Sequence, residues 1–168
     1  MNATRTNVEL ARGADAAEIA ALSRKYIEYN LGWQYRPFRI RDSIRNKSKN
    51  VVVARAGATL AGFGIMTYLV DSANLDLLAV KTHYRRRGVG RQIVCWLETV
   101  ARTAGIANVF VQVRKTNRGA IRFYQRLGFR IVDEAAGYYQ GREAAVIMCK
   151  SSFSLGSLVI HGQSDEWR

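Results

Sequence analysis

Proline occurs once in 168 residues, at Pro37, and histidine and cysteine occur twice each. His83 and His161 stand alone, and neither Cys95 nor Cys149 has a second ligand at metal-binding spacing. A Cys/His metal site is therefore not expected. Both cysteines sit among apolar neighbours, which predicts small buried hydrophobes. No apolar run reaches membrane-spanning length, and no basic start followed by an apolar segment marks the N-terminus. The expectation is a cytoplasmic protein without membrane contact. Acidic residues are also scarce: 13 face 26 basic ones, a formal net charge of +13. That excess favours anionic ligands, acidic substrates or RNA, beside the simpler reading of a basic, soluble surface. There is no internal repeat and no shift of composition before the last 18 residues. One domain over 1–150 is expected, with a Ser/Gly-rich tail at 151–168 that holds a short strand at 158–160. Nothing in the sequence specifies an oligomeric state.

What is present is periodic. Residues 7–12 read as a strand. Asp15 and Glu18 have capping-box spacing before a helix whose stripe is Ile19, Leu22, Tyr26 and Tyr29. Residues 30–38 interrupt it, and a basic helix is expected over 40–47. Strands at 51–55 and 60–69 form a hairpin around Ala56-Gly57, and a third strand covers 75–80. A helix over 88–104 buries Ile93, Leu97, Val100, Ala101 and Ala104 and stops at Gly105. A strand at 109–113 precedes a helix capped by Asn117 and stopped by Gly128. Strands at 129–133 and 143–149 close the sheet as an antiparallel pair. The order β-α-α-β-β-β-α-β-α-β-β predicts an α/β fold with a mixed, mostly antiparallel central sheet flanked by helices.

The junction between the 75–80 strand and the long helix reads Lys81-Thr82-His83-Tyr84-Arg85-Arg86-Arg87-Gly88-Val89-Gly90. A helix start carries unpaired N–H groups and the positive end of the helix dipole. Glycines let the backbone approach a ligand, and arginines add fixed charge. This pattern suits a phosphate-bearing ligand, although it matches neither the dinucleotide fingerprint nor the P-loop. About 30 residues on, Asn117-Arg118-Gly119-Ala120-Ile121-Arg122-Phe123-Tyr124 places Ala120, Phe123, Tyr124 and Leu127 on one helix face. Tyr124 can then direct its hydroxyl into a cleft.

Together, R-x-x-G-x-G and N-x-x-A-x-x-F-Y-x-x-x-G-F resemble the paired motifs of the GNAT superfamily of acyl-CoA N-acyltransferases. The likeness covers roughly residues 60–150. The run from Tyr138 to Met148 is similar to the end of ribosomal-protein N-alpha-acetyltransferases (the RimI-like group). The resemblance implies the GNAT fold, acetyl-CoA as acetyl donor and no metal. It implies that Arg85, Arg86, Arg87, Gly88, Val89 and Gly90 hold the coenzyme A pyrophosphate. Leu78 and Val80 would offer backbone groups to the pantetheine, as an added strand would. Asn117 would contact the pantetheine arm, and Tyr124 would protonate the departing thiolate. Tyr138, Tyr139 and Trp33 are the candidate acceptor-site residues, the two tyrosines as walls of a peptide channel.

The chain departs from that group in two places. Gln112 stands where those enzymes carry a glutamate, so a base is missing. Residues 32–38 read Gly-Trp-Gln-Tyr-Arg-Pro-Phe in place of an F-P-W-S-like segment. Strict alternation along the 75–80 strand puts Asp76 on one side with Leu78 and Val80 and makes it the substitute base, acting directly or through water. Glu98 is expected to face solvent, His83 to be a solvated loop residue, and Tyr84 to pack within the loop. Three functional readings follow. The first is acetyl transfer to a protein or peptide N-terminal α-amine, with a ribosome or other polyanion as a further contact. The second is transfer to a small-molecule amine. The third is a non-catalytic coenzyme A-binding module with a basic RNA- or ribosome-binding surface.

Overall fold

The computed structural model describes residues 6–151. The tail at 152–168, with the strand expected at 158–160, lies outside the described residues. Seven strands form one sheet: β1 (Thr6–Leu10), β2 (Lys49–Ala56), β3 (Thr59–Tyr68), β4 (Ser72–Val80), β5 (Asn108–Arg114), β6 (Arg130–Tyr139) and β7 (Glu143–Ser151). Four helices join them: α1 (Ala16–Tyr26), α2 (Pro37–Arg45), α3 (Val89–Thr103) and α4 (Arg118–Arg126). The spatial order is β1-β2-β3-β4-β5-β7-β6. The β4/β5 pair is parallel, and the other neighbours are antiparallel. The expected order of elements and the mixed, mostly antiparallel sheet are as observed.

Each face of the sheet carries its own core. On one side, Val89, Ile93, Val94, Leu97 and Ala101 of α3 and Tyr124 of α4 pack with Val52, Ala54, Met66, Val109, Val111 and Met148. On the other, Ile19, Ala20 and Leu22 of α1 and Ile40 of α2 pack with Val51, Val53, Phe63, Ile65 and Leu77. The stripes on α1 and α3 thus sort onto opposite faces because each is apolar at helical period on one side only.

Several boundaries move for identifiable reasons. Asp15 does not cap α1. Its carboxylate turns back to the Arg12 N–H at 2.7 Å and to Arg55 at 2.7 Å. Pro37 opens α2, where its missing N–H costs nothing and its fixed φ suits a first turn. Both α3 and α4 end as expected at glycines in the left-handed region, Gly105 (φ 77°) and Gly128 (φ 93°). In each, the next residue's N–H reaches back into the last turn: Ile106 to Ala101 O at 2.9 Å and Phe129 to Tyr124 O at 3.0 Å. This six-to-one closure fixes Phe129 against Tyr124. Cys95, expected to be buried, is exposed. Glu98, expected in solvent, has a side chain only 13% exposed and pairs with Lys150 at 2.9 Å.

The central strands approach α3 closely. A Cβ on Gly64 would lie 2.6 Å from Ile93 Cγ2 and 3.1 Å from Leu97 Cδ1. Gly64→Ala is therefore expected to force α3 off the sheet and cost about 1–3 kcal/mol by overpacking. Denaturant unfolding checks this. A midpoint at or above that of the wild type would refute the close approach.

Candidate active site

The site begins where β4 and β5 part. They pair only at Ser72–Asn108, Ala73–Val109 and Asn74–Phe110. Beyond that point β5 continues pairing with β7 alone, so the edge of β4 that faces β5 is left open along its second half. Leu75, Asp76, Leu77 and Leu78 line one wall of the resulting cleft. Val111, Gln112, Val113 and Arg114 line the other, with Tyr124 and Asn117 of the α4 segment and Tyr139 beside them. An open strand edge offers N–H and C=O groups that an extended ligand can pair with. Leu78 and Val80 lie on this half of β4.

A bulge decides which way β4 points. Leu77 pairs with Ile65 and Leu75 with Met66, so Asp76 is the extra residue. Ala73 and Leu75 pack in the α3 core, whereas Leu77 and Ala79 pack in the α1/α2 core. The alternation reverses across residue 76, as a bulge requires. The shared face expected for Asp76, Leu78 and Val80 is therefore not present. Leu78 and Val80 pack against the α3 core. Asp76 accepts from Lys49 Nζ at 3.0 Å, Thr67 Oγ1 at 2.5 Å and Asn74 Nδ2 at 2.8 Å. Asn74 in turn accepts from Gln112 Nε2 at 2.9 Å. A polar chain thus runs from Gln112 on β5 to Lys49 on β2, across the point where the strands separate.

At the end of β4 the chain forms a short 3-10 turn at Thr82–Tyr84 and then the loop into α3. Arg86 (φ 60°) and Gly88 (φ 81°) both occupy the left-handed region. Gly88 is the N-cap, and no side chain caps the helix. The first-turn N–H groups of Val89, Gly90 and Arg91 have no partner within the helix. Gly90 lies against α4: a Cβ there would be 3.2 Å from Phe123 Cζ. Val89 is buried. Arg86 and Arg87 are exposed. Arg85 folds back, its Nε donating to Val80 O at 2.9 Å and its guanidinium 4.8 Å from the Tyr26 ring centroid. The loop is therefore braced by Arg85 and presents Arg86, Arg87 and bare N–H groups outward.

Tyr124 is buried and sits edge-on to Phe123 and Phe129, with centroids 5.1 and 5.4 Å away. Burial pushes its phenol well above the ordinary tyrosine range, and Tyr139 adds to this. Such a phenol stays protonated and keeps its O–H available as a donor. Asn117 Oδ1 accepts from Ala120 N at 3.0 Å, capping α4 and leaving its amide N–H groups as donors. Tyr139 donates to Gln112 O at 3.3 Å, and burial, with Tyr138 next, pushes its phenol up to about 12. Tyr138 stacks edge-on to Tyr139 at 5.0 Å and is half exposed. Trp33 lies in the α1–α2 loop, between Arg24 at 4.9 Å and Arg36 at 5.7 Å, and packs on the α1/α2 core. His83 is exposed, and Tyr84 packs against the α3 core. Among the described residues no group of metal-binding side chains is present.

Two buried charged residues that hold the α1–α2 loop in place escaped sequence reasoning. Arg114 is buried at the end of β5. It donates to Glu143 at 2.9 Å, to Ile27 O at 2.8 Å and to Tyr29 O at 2.9 Å, and lies 4.2 Å from the Tyr29 ring centroid. Glu28 is buried and accepts from Ser23 Oγ at 2.9 Å and Gln34 N at 2.7 Å. Together they tie the α1–α2 loop to the β5 and β7 ends. The one available signal was a charged residue ending an otherwise uncharged V-F-V-Q-V-R strand. Arg114→Met removes the donors to two carbonyls and leaves Glu143 with Thr116 as its remaining partner. It is expected to cost about 1–3 kcal/mol. Denaturant unfolding checks this, and an unchanged midpoint would contradict it.

A cleft between diverging parallel strands, with a helix N-terminus at one end and a buried phenol from the following helix, is the candidate active site. Residues 17–129 match the Acetyltransferase (GNAT) family, and the chain belongs to that family. Over 92 residues it is 36% identical to the [ribosomal protein bS18]-alanine N-acetyltransferase of Salmonella typhimurium, a match covering 53% of this chain and 62% of that protein. It is 29% identical over 96 residues to a streptothricin acetyltransferase of Streptomyces lavendulae, covering 56% of this chain and 51% of that protein. The fold is similar to the crystal structure of the Escherichia coli ribosomal-protein-S18-alanine N-acetyltransferase, with TM-score 0.73, 25% identity, and coverage of 93% and 100% of the two chains. Ard1 from Thermoplasma volcanium shares the fold, with TM-score 0.77 and 24% identity over 89% and 99%.

Proposed function

We propose that this chain transfers an acetyl group from acetyl-CoA to the N-terminal α-amine of a protein or peptide, by direct attack in a ternary complex in the cytoplasm. The observation that carries the reading is the open edge of β4, running from the N–H groups at the start of α3 to the protonated phenol of Tyr124. Arg86, Arg87 and the N–H groups from Gly88 to Gly90 would bind the pyrophosphate. The pantetheine would pair with Leu78 and Val80, and Asn117 would donate to it. The amine nitrogen attacks the thioester carbon, and a backbone N–H near Leu78 or Val80 receives the developing oxyanion. The C–S bond breaks, and the thiolate takes the Tyr124 proton. The amine's surplus proton leaves through water to Asp76.

An α-amine titrates near 8, about two units below a lysine, so at neutral pH it needs little help from a base. That fits a site with Gln112 in place of a carboxylate. Relatives named for a ribosomal-protein alanine support the α-amine as acceptor, and the net charge of +13 supports a ribosome or other polyanion as a further contact. The likeness to a streptothricin acetyltransferase favours a second reading, transfer to a small-molecule amine. Thiol release measured across α-amino peptides and small amines separates them. Turnover with peptides supports the first reading, and turnover confined to small amines overturns it. Asp76→Asn is expected to lower kcat/KM most below the amine's pKa and to matter little above it. A wild-type pH–rate profile would remove Asp76 as proton acceptor.

A further inference from the structure

The excess positive charge is not spread evenly. From Arg114 to Val132 the chain contains no aspartate or glutamate. Within that stretch, Arg118, Arg122 and Arg126 recur every four residues along α4 and are all exposed. None of the three enters an ion pair among the described residues. Like charges at this spacing destabilise an isolated helix. The opposite face of α4, with Phe123, Tyr124 and Leu127, holds it on the α3 core. The arginines are thus displayed by a rigid, well-anchored element at a cost in stability that no internal partner offsets.

We infer that the outer face of α4 is an RNA-binding surface, with Arg118, Arg122 and Arg126 each engaging a backbone phosphate. One helical turn separates successive guanidinium groups, about 6 Å of axial rise for four residues. That places a row of phosphate-matched forks along one line, as a polynucleotide strand requires. The choice of RNA over other polyanions rests on the proposed ribosomal-type acceptor. The surface lies beside the cleft without lining it, so an RNA held there leaves the acceptor path open and raises the local concentration of a protein embedded in that RNA.

The test uses the full chain with saturating acetyl-CoA, so that the 85–90 loop is occupied. Binding of a labelled single-stranded RNA is followed by fluorescence anisotropy across a salt series. Arg118→Gln/Arg122→Gln/Arg126→Gln is expected to weaken binding at least about tenfold and to make the log–log salt slope shallower by about 2. Peptide acetylation without RNA should be unchanged, so the result stands apart from the proposed activity. The comparison variant, Arg39→Gln/Arg41→Gln/Arg45→Gln, removes the same charge from exposed positions of α2, where Asp42 interrupts the row. The inference is overturned by any of four results: no RNA binding, an equal loss in the α2 variant, equal binding of polyglutamate, or a loss of acetyl-CoA affinity in the α4 variant.

Discussion

Tyr124→Phe should lower kcat by about 10²-fold, the size of one general-acid contribution, with acetyl-CoA affinity nearly unchanged. The substitution removes one oxygen and keeps the ring, so the edge contacts to Phe123 and Phe129 and the closure of α4 survive. In the proposed mechanism the affected step is protonation of the thiolate as the C–S bond breaks. Burial keeps the Tyr124 proton in place through the neutral range, so the wild-type rate should show no loss from Tyr124 ionisation below the ordinary tyrosine range. Rapid-quench measurement of the chemical step checks the effect. An unchanged rate where chemistry limits turnover would remove Tyr124 from the mechanism.

Gly88→Glu is expected to reduce acetyl-CoA affinity on the order of 100-fold. Two effects add. Residue 88 has φ 81°, where a side chain costs about 1–2 kcal/mol. The introduced carboxylate would also compete with the pyrophosphate for the N–H groups at the start of α3. Crowding is not the cause, because a Cβ at 88 meets nothing closer than Gln92 Nε2 at 3.9 Å. Gly88→Asn separates the effects, since asparagine tolerates the left-handed region and carries no charge; it should retain most of the affinity. Calorimetry on folded protein checks both. Wild-type affinity in Gly88→Glu would place the coenzyme elsewhere.

The glycine-rich turn into α3 and the α4 motif were legible in the sequence because their signals are local. A glycine at a helix start, an asparagine cap and an aromatic at i, i+3 spacing depend on near neighbours. Asp76 shows where local reasoning stops. Period-two alternation holds along an unbroken ladder, and the bulge opposite Ile65 and Met66 is a property of strand pairing. No residue type in Leu75-Asp76-Leu77-Leu78 announces it. Arg114 and Glu28 were missed for a related reason. Their partners are backbone carbonyls and N–H groups of the α1–α2 loop, which composition does not register. Cys95 failed differently: it follows Ile93 and Val94 but falls on the outward side of α3, a matter of helical phase.

The central claim is that the β4–β5 cleft delivers the acetyl group to an α-amine. It is tested most directly by incubating the protein with acetyl-CoA and a peptide bearing both a free N-terminus and an internal lysine, then locating the acetyl group by fragment-ion mass spectrometry. The expected result is a single acetyl group on the α-nitrogen, lost in Tyr124→Phe and absent when the N-terminus is blocked. Acetylation of the lysine side chain, or equal yield from the blocked peptide, would contradict it.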